Sequence, residues 1–360
     1  MKYTLLFFLL LTPWLHAQTT ADGFALPQPG KVFAFPRDHG SHPEFRTEWW
    51  YVTGHLDSKD GHRFGFQVTF FRQARRADGQ TLHLHLAHTA LLDARTGRFL
   101  HEERLNRAGW DAASSETTLA VRNGNWSLKL DEATHHLHIA ATVNGDALLQ
   151  LELEAVKPLA IFGKDGVSRK GASATAASHY LTWPRLKSTG TVKLGAAEQT
   201  VSGEAWMDHE FSSSQLEPGQ VGWDWAALQL KDGREIMVYR MRRKDGTPDP
   251  ASTLAVIERD GKVRHLPSTA FTWEVLGTWN SPRNGAQYPT HIRLRFEGES
   301  FELKPLAADQ EQDGGITRLP YWEGACDVLD SHGQTTGRAF LELAGYAGDL
   351  THHLAPQAGK

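Results

Sequence analysis

Residues 48–72 read EWWYVTGHLDSKDGHRFGFQVTFFR, and residues 222–242 read GWDWAALQLKDGREIMVYRMR. Each stretch runs from tryptophans through an alternating apolar segment to Asp-Gly, and then into a second aromatic-rich segment that ends in arginine. Asp-Gly between two alternating segments is typical of a β-hairpin. The repeated pattern therefore predicts two similar hairpins, each of which opens a β-domain.

Apolar and polar residues alternate through most of the chain, and no segment keeps a helical period. Many short strands separated by Gly-rich breaks favour antiparallel sandwiches or barrels, because closure of a barrel removes exposed edges. A chain of 360 residues also exceeds what one domain commonly needs. We predict an all-β fold of two domains, residues 24–212 and 213–356, with the boundary in the loop-like stretch FSSSQLEPG at 211–219.

The amino-terminal stretch MKYTLLFFLLLTPWLHAQTT has one lysine, an apolar run and a small residue, Ala17, at a suitable cleavage position. This arrangement predicts a signal peptide at residues 1–17 and a periplasmic or secreted mature protein, because the run is shorter than the ~20 residues of a membrane-spanning helix. Its removal moves the formal net charge from −4 to −5. This weakly acidic balance argues against nucleic acid as a partner. Cys326 is the only cysteine, so no intrachain disulfide is possible.

Twelve tryptophans are roughly twice the number expected from average usage, so some of their area is expected to line something other than a core. In the segment GEAWMDHEF, alternation places Trp206, Asp208 and Glu210 on one face of a strand and His209 on the other. Carboxylates in aromatic surroundings have raised pKa values and are candidates for functional sites. The segment is predicted to form the wall of a pocket. A structural role, in which Asp208 pairs with an arginine or caps backbone amides, is the alternative.

Two further tryptophan segments follow the same alternation. TEWWYVTGHL places Glu48 and Trp50 on one face and Trp49 and Tyr51 on the other, whereas GWDWAAL sets two tryptophans on a common face. The polar stretch FGKDGVSRKGASATAASHY, residues 162–180, is predicted to be a long loop over the first domain, and loops of that length are often functional.

A metal site and a serine hydrolase site are two other hypotheses. In HLHLAH, His83 and His85 share a strand face and His88 points away, so the three do not form one triad. His-Glu-x-x-His and Cys-x-x-Cys are both absent from the sequence. Gly-x-Ser-x-Gly is absent as well, and the serines at 212–214 lie in the predicted linker. We predict that neither a metal nor a cofactor is required.

The segments FPRDHGSHPEFRTEWWYVTGHL, TFFR, LAHTAL, GEAWMDHEFSSSQL, GWDWAALQL and YWEGACDVLD resemble the exported AttH-like family, the relatives of carotenoid 1,2-hydratase. The resemblance covers roughly residues 33–346. It implies an all-β fold of two lipocalin-like barrels with an apolar small-molecule site within or between them. That family includes carotenoid and isoflavonoid hydratases, cyclases and many exported proteins, so the fold alone does not define the activity.

In the hydratase branch, a His two residues before a Trp acts with a Tyr two residues before an Asp. Here SHYLTW supplies His179 but has Leu181 in place of the Trp, and AWMDH has Trp206 in place of the Tyr and keeps Asp208. The resemblance implies that Asp208 gives a proton to an electron-rich alkene and that His179 holds or deprotonates water. Aromatic faces would then stabilise the resulting cation.

The sequence thus leaves three functions open. The first is a cofactor-independent hydratase or isomerase, a carbon–oxygen lyase, that acts on an isoprenoid, polyene or lipid. The second is a carrier of an apolar ligand, or an accessory protein of an ABC-type membrane transport system, and the third is a hydrolase. The predicted catalytic residues are Asp208 and His179. The predicted ligand-binding residues are Trp206, Trp223, Trp225, Trp49, Trp50, Tyr51, His88, Glu48, His209, Glu210, Tyr321 and Trp322.

Overall fold

A computed structural model describes residues 19–350 of the chain except 78, 174 and 349. The predicted signal peptide at 1–17 and the last residues of the predicted second domain lie outside the described residues. Within the described residues, no helix is long and apolar enough to cross a membrane. The helical content described is two short 3-10 turns, Arg37–His39 and Ser268–Ala270.

The first sheet is built from thirteen strands among the described residues. They are β1 (Thr47–Ser58), β2 (Arg63–Ala77), β3 (Gln80–Asp93), β4 (Arg98–Arg107), β5 (Ala112–Ser114), β6 (Ala120–Asn123), β7 (Trp126–Leu130), β8 (Leu137–Val143), β9 (Ala147–Ala155), β10 (Ala160–Ile161), β11 (Ser168–Arg169), β12 (Ala177–Leu194) and β13 (Ala197–Ser214).

The second sheet is built from ten strands of the described part of the chain. They are β14 (Gln220–Leu230), β15 (Glu235–Arg243), β16 (Thr253–Ile257), β17 (Val263–Pro267), β18 (Phe271–Asn280), β19 (Gln287–Phe296), β20 (Glu299–Pro305), β21 (Glu311–Gln312), β22 (Tyr321–Leu329) and β23 (Thr335–Ala344). The all-β fold predicted from the alternation is therefore confirmed.

Both sheets follow one topology. The first has the order β4-β3-β2-β1-β13-β12-β9-β8-β7-β6-β5, and the second has the order β17-β16-β15-β14-β23-β22-β20-β19-β18. In each sheet the first strand pairs antiparallel with its hairpin partner on one side and with the last strand on the other. The two sheets curl into a barrel and a half-barrel, as in lipocalin-like folds. The two hairpins predicted from the repeated sequence pattern are thus confirmed.

Alternation along the strands separates three apolar layers. Trp50 and Val52 point into the core enclosed by the first sheet, and Leu228 and Val238 point into the core enclosed by the second. Tyr51 faces the other way and belongs to a third cluster between the sheets. Burial of a large apolar side chain contributes about 1.5–3 kcal/mol, so each sheet gains from its own core and from the shared layer.

The serines at 212–214 do not form a linker. They are the buried end of β13, where Ser212 pairs with Thr47 of β1 and with Ser178 of β12. The Ser212 hydroxyl donates to the carbonyl oxygen of Ala177 at 2.7 Å. The linker prediction was wrong because neighbouring backbone groups bind these hydroxyls, which allows polar residues to lie inside a sheet. The first sheet's last strand ends at Ser214, and the second sheet begins at Gln220.

Candidate functional site between the two sheets

The candidate site lies where the first and last strands of the two sheets face each other. In the first sheet, Tyr51 of β1 pairs with Asp208 of β13, which pairs in turn with Thr182 of β12. In the second sheet, Trp225 of β14 lies opposite Glu342 of β23. The ring centroids of Tyr51 and Trp225 are 5.2 Å apart. Residues distant in sequence therefore meet in one layer between the domains.

Asp208 is the polar centre of this layer and is buried. Its Oδ1 accepts hydrogen bonds from the Trp206 indole N–H at 2.7 Å and from the Thr182 hydroxyl at 2.6 Å, and its Oδ2 accepts one from the Tyr180 hydroxyl at 2.7 Å. The Trp225 indole N–H donates to the Tyr180 oxygen at 3.0 Å. Burial raises the pKa of Asp208 to about 7, against the opposing effect of these hydrogen bonds. Asp208 is thus a carboxyl group that changes protonation near neutral pH.

The partners of Asp208 differ from those expected for a structural aspartate. Its hydrogen bonds within the described residues come from three side chains, with neither an arginine nor a backbone amide among them. The hydroxyls of Tyr180 and Thr182 can donate to a carboxylate or accept from a carboxylic acid, so they serve both protonation states. The ring centroids of Trp206 and Trp225 are 6.1 Å apart, which places aromatic surface beside the acid.

Glu210 lies two residues after Asp208 on β13, on the same strand face, and it forms an ion pair with Lys170. Its carboxylate contacts the Lys170 ammonium at 2.9 Å and accepts from the Ser178 hydroxyl at 2.8 Å. The Lys170 nitrogen also lies over the rings of Tyr180, at 4.6 Å, and Tyr239, at 4.0 Å. Burial lowers the pKa of Lys170, but the surrounding polar groups, Glu210 first among them, together outweigh burial, so the net pKa of Lys170 is raised and its ammonium is retained. The long loop predicted at 162–180 is partly strand, since β11 is Ser168–Arg169 and β12 begins at Ala177. The segment between these two strands brings Lys170 to the layer.

The second domain contributes two further acids. Glu342 accepts a hydrogen bond from the Trp223 indole N–H at 2.9 Å, and Glu323 accepts one from the Tyr51 hydroxyl at 2.6 Å. Burial, with the charges of nearby acids, raises the pKa of Glu342 to about 7. Burial and the charge of Glu342 raise the pKa of Glu323 well above its ordinary value. The sequence patterns selected neither acid: Glu323 follows Trp322 in YWEGACDVLD, from which only Tyr321 and Trp322 were chosen, and Glu342 lies in a segment without tryptophan.

Tyr321 and His88 lie at the far end of the same layer. The Tyr321 oxygen is 2.7 Å from Nδ1 of His88 and accepts from the Gln67 amide at 3.2 Å. Nε2 of His88 is 3.3 Å from a carboxylate oxygen of Glu103. Burial lowers the pKa of His88 to about 4. The structure therefore brings both residues to the interdomain layer, where they form a hydrogen-bonded border.

His179 does not reach Asp208. It pairs with Phe211, so it lies on the opposite face of β12 and β13 from Asp208. Its Nδ1 is 2.7 Å from the Gly166 carbonyl oxygen, and its ring packs edge-on against Phe33 and Phe45. The predicted pairing of His179 with Asp208 is wrong because the register brings the even-numbered residues of β12 to the acid. The alternation in SHYLTW is the signal that could have identified Tyr180 and Thr182.

Four predicted ligand-binding residues also lie elsewhere. Glu48, Trp50 and His209 point to the inner side of the first sheet, away from the interdomain layer. Trp322 is buried in the core of the second sheet, where its indole N–H donates to the Ala308 carbonyl oxygen at 2.9 Å. Each belongs to a strand that contributes a neighbouring residue to the site, and alternation sends the intervening side chain to the other face. The remaining predicted residues, Trp49, Tyr51, Trp206, Trp223, Trp225, Glu210, Tyr321 and His88, lie in the layer or at its border.

A buried polar network lies on the inner side of the first sheet. Oε1 of Glu48 is 2.9 Å from Nδ1 of His42 and 2.9 Å from Nε2 of His209. Its Oε2 accepts from Nε of Arg72 at 3.0 Å, and Asp38 lies 2.9 Å from Nε2 of His42. His42, Glu48 and His209 are close enough to hold a metal ion. Both ring nitrogens of His42 and Nε2 of His209 are already hydrogen-bonded to carboxylates, whereas Nδ1 of His209 has no hydrogen-bond partner among the described residues. Arg72 supplies a cation beside Glu48, so the cluster can be stable as a hydrogen-bond network.

We expect no stoichiometric metal in the purified protein, because Glu48 is saturated by hydrogen bonds. Elemental analysis by mass spectrometry after dialysis against a metal-free buffer measures this. Zinc, copper or iron at one equivalent would contradict the expectation. Its loss in His209→Ala would place the metal in the network, whereas its loss in the His83→Ala/His85→Ala double variant would place it on β3.

Two surface cavities lie apart from Asp208. One has a volume of 320 Å³ and the other 450 Å³, and charged side chains such as Arg63, Lys231 and Arg234 line them. Neither is lined by Asp208 or a tryptophan. Asp208 is 3% exposed, whereas Trp49, Trp223 and Glu342 of the same layer are half-buried. A ligand that reaches Asp208 therefore has to displace side chains or part the two domains.

The repeated pair of curled antiparallel sheets, with acids and aromatic rings buried between them, defines a two-domain lipocalin-like protein. A family model described as AttH-like matches residues 26–346, so the chain belongs to the AttH-like family. The crystal structure of an AttH protein from Nitrosomonas europaea is similar, with 34% identity and a TM-score of 0.83 over 90% of this chain and 99% of that one.

Two more distant structures share the fold. Kievitone hydratase from Nectria haematococca is 14% identical, with a TM-score of 0.67 over 92% of this chain and 99% of that one. CghA, crystallised with Sch210972, is 13% identical, with a TM-score of 0.53 over 92% of this chain and 98% of that one. A search of curated proteins found no match.

Proposed function

We propose that the protein, exported to the periplasm or beyond, binds an apolar isoprenoid, polyene or lipid between its two domains. In this proposal it adds water to, or isomerises, a carbon–carbon double bond of that molecule. The observation that carries the proposal is Asp208, a buried carboxyl group with a pKa of about 7 among aromatic rings. A carboxylic acid that stays protonated near neutral pH can protonate an alkene.

The aromatic surroundings fit the cation that such a proton transfer forms. Trp206, Trp225 and Tyr51 present ring surface in the layer that contains the acid. Aromatic faces attract a positive charge, more strongly where water is excluded. The Tyr180 and Thr182 hydroxyls hold the carboxyl group in one orientation before and after it loses its proton.

The chain differs from the hydratase pattern at two positions, and the structure shows where both side chains lie. Trp206 stands where that pattern has tyrosine, and its indole N–H still donates to Asp208. Leu181 stands where the pattern has tryptophan, and it pairs with His209, on the face away from Asp208. The first departure keeps a donor on the acid, and the second lies outside the interdomain layer.

A carrier of the same class of ligand is the second candidate. One observation favours it: His179 lies on the opposite strand face from Asp208, so the two residues that the hydratase pattern brings together do not meet. As a carrier, the protein would pass an apolar molecule to or from an ABC-type membrane transport system.

Native mass spectrometry with lipid extraction, on protein recovered from its own compartment, tests both candidates. We expect a co-purifying polyene, isoprenoid or lipid. The polyene fatty acid cis-parinaric acid serves as an added probe and should quench tryptophan emission by energy transfer from the layer. Trp110→Phe is the control, since Trp110 is 84% exposed and distant in sequence from the site strands, and it should leave the quenching intact. Protein that carries no extractable ligand and does not bind the probe would contradict both candidates.

A further inference from the structure

The two domains repeat each other residue by residue at their first strands. In β1 and β14, Trp49 corresponds to Trp223 and Tyr51 corresponds to Trp225, as the paired segments EWWYVTGHL and GWDWAALQL show. In each sheet this first strand pairs with the last strand, and the next neighbour is β12 in one sheet and β22 in the other. The correspondence therefore extends to the strands that carry the acids.

The register makes Asp208 and Glu342 equivalent residues. Tyr51 lies opposite Asp208 in the first sheet, and Trp225 lies opposite Glu342 in the second. Because Tyr51 and Trp225 occupy corresponding positions, their partners on the last strands correspond too. Each acid also accepts an indole N–H, from Trp206 in one domain and from Trp223 in the other.

Two hydrogen bonds cross between the domains in opposite directions, although their acceptors are not equivalent residues, since Glu323 lies opposite Glu342 and Tyr180 lies opposite Glu210. Tyr51 of the first domain donates its hydroxyl to Glu323 on β22, at 2.6 Å. Trp225, its counterpart in the second domain, donates its indole N–H to Tyr180 on β12, at 3.0 Å. Equivalent faces of two similar domains are therefore packed against each other, and each face presents one of the two equivalent acids.

We propose that Asp208 and Glu342 act as a pair, one carboxyl group from each domain, as the acid and the base of a single reaction. This inference rests on the proposed hydration or isomerisation of an alkene. The layer holds two other acids: Glu210, which is paired with Lys170, and Glu323, which accepts from Tyr51 and lies opposite Glu342. The charge of Glu210 also raises the pKa of Asp208 and of Glu342.

The hydration step balances with these two groups and water. The O–H bond of Asp208 breaks and its proton forms a C–H bond at one alkene carbon, which leaves a carboxylate and a carbocation at the other carbon. Water then forms the C–O bond to the cation, and its released proton passes to the carboxylate of Glu342. One water has been added across one double bond. The proton on Glu342 then returns to Asp208, or the two equivalent groups exchange roles in the next turnover.

Electrostatics supports a shared proton. Burial raises the pKa of Asp208 and of Glu342 to about 7 each, and the charge of Asp208 contributes to the increase at Glu342. Asp208 is buried and Glu342 is half-buried. Neighbouring carboxyl groups that are largely shielded from water resist simultaneous ionisation, and their protons leave in coupled steps. A pair that shares one proton is the state that the reaction needs.

Carbon-13 NMR of the side-chain carboxyl groups tests the pair on the folded full chain without any substrate. Removal of the neighbouring negative charge favours the ionised form of Asp208, so Glu342→Gln is expected to lower its apparent pKa by roughly one unit or more. Glu198→Gln is the matched control, because Glu198 is exposed on the same strand as Asp208. An unchanged titration of Asp208 in Glu342→Gln overturns the pair and leaves Asp208 as a single acid.

A reciprocal variant covers the case in which Glu342→Gln does not fold. Asp208→Asn is expected to lower the apparent pKa of Glu342, and circular dichroism verifies folding of each variant. If Glu323→Gln shifts the titration of Asp208 and Glu342→Gln does not, then the partner of Asp208 is Glu323, and the proposed pair is overturned.

Activity is measured separately, with the acyclic carotenoid lycopene in detergent micelles as the probe. We expect Glu342→Gln to lower kcat by 10²-fold or more, in the range typical for loss of a general acid or base, and to leave the Kd for cis-parinaric acid within about twofold. Unimpaired turnover in Glu342→Gln overturns the pair. Failure of the unmodified protein to hydrate lycopene counts against the proposed function, whereas the carboxyl titration still decides whether the two groups are coupled.

Discussion

Replacement of Asp208 by asparagine is expected to reduce alkene turnover by roughly 10²–10⁴-fold while folding stability stays within about 1 kcal/mol of the unmodified protein. The amide has the size and neutrality of the protonated acid, which is the form that burial favours up to a pH of about 7. Its oxygen can still accept from Trp206 and Thr182, and its NH₂ group can donate to Tyr180. The proton that the reaction requires is missing.

Turnover of the carotenoid probe and the thermal unfolding temperature, measured on the same preparation, check this prediction. If the protein is a carrier, Asp208→Asn should change the affinity for cis-parinaric acid instead of a rate. Glu198→Gln again supplies the control for a lost carboxylate on β13. A loss of 1–3 kcal/mol or more, with ligand binding per folded molecule intact, would show that Asp208 is structural and would refute the site.

The fold could be predicted from the sequence because its decisive signals are local. Alternation sets the faces of each strand, and Asp-Gly at 60–61 and 232–233 sets the turns of two hairpins. The repetition of these hairpins carries the information that two similar sheets exist. The serines at 212–214 wrongly predicted a linker, because a polar run indicates a loop only when its hydroxyls have no buried partners.

The candidate site was predictable only in part, since alternation within a strand does not give the register between strands. It correctly placed Trp206, Asp208 and Glu210 on a common face, but it could not show which residues of β12 lie opposite them. The choice of His179 followed a motif, whereas the pairing of Thr182 with Asp208 depends on contacts between separate segments. Glu342 was missed because its importance arises from the packing of one domain on the other.

Replacement of Glu48 by glutamine is expected to destabilise the protein by roughly 3–5 kcal/mol, although the change is nearly isosteric. Burial alone raises the pKa of Glu48, but hydrogen bonds from His209 and His42 and the charge of Arg72 hold that pKa well below its ordinary value. The carboxylate is therefore ionised, and it accepts from five donors in all, with the Ser41 hydroxyl and the His42 backbone N–H added.

An amide at this position replaces one acceptor oxygen with an NH₂ group that faces donors. It also leaves the Arg72 charge buried without its carboxylate, since the Arg72 side chain is 2% exposed. Denaturant unfolding of Glu48→Gln measures the loss of unfolding free energy. Glu44→Gln is the control, because Glu44 is an exposed glutamate in the segment just before β1. Unfolding free energies within 1 kcal/mol of each other for the two variants would contradict the structural role of the network. Glu48 and Asp208 lie on opposite faces of paired strands. Glu48→Gln should therefore lose stability without a specific effect on ligand affinity per folded molecule. This is the reverse of the result expected for Asp208→Asn.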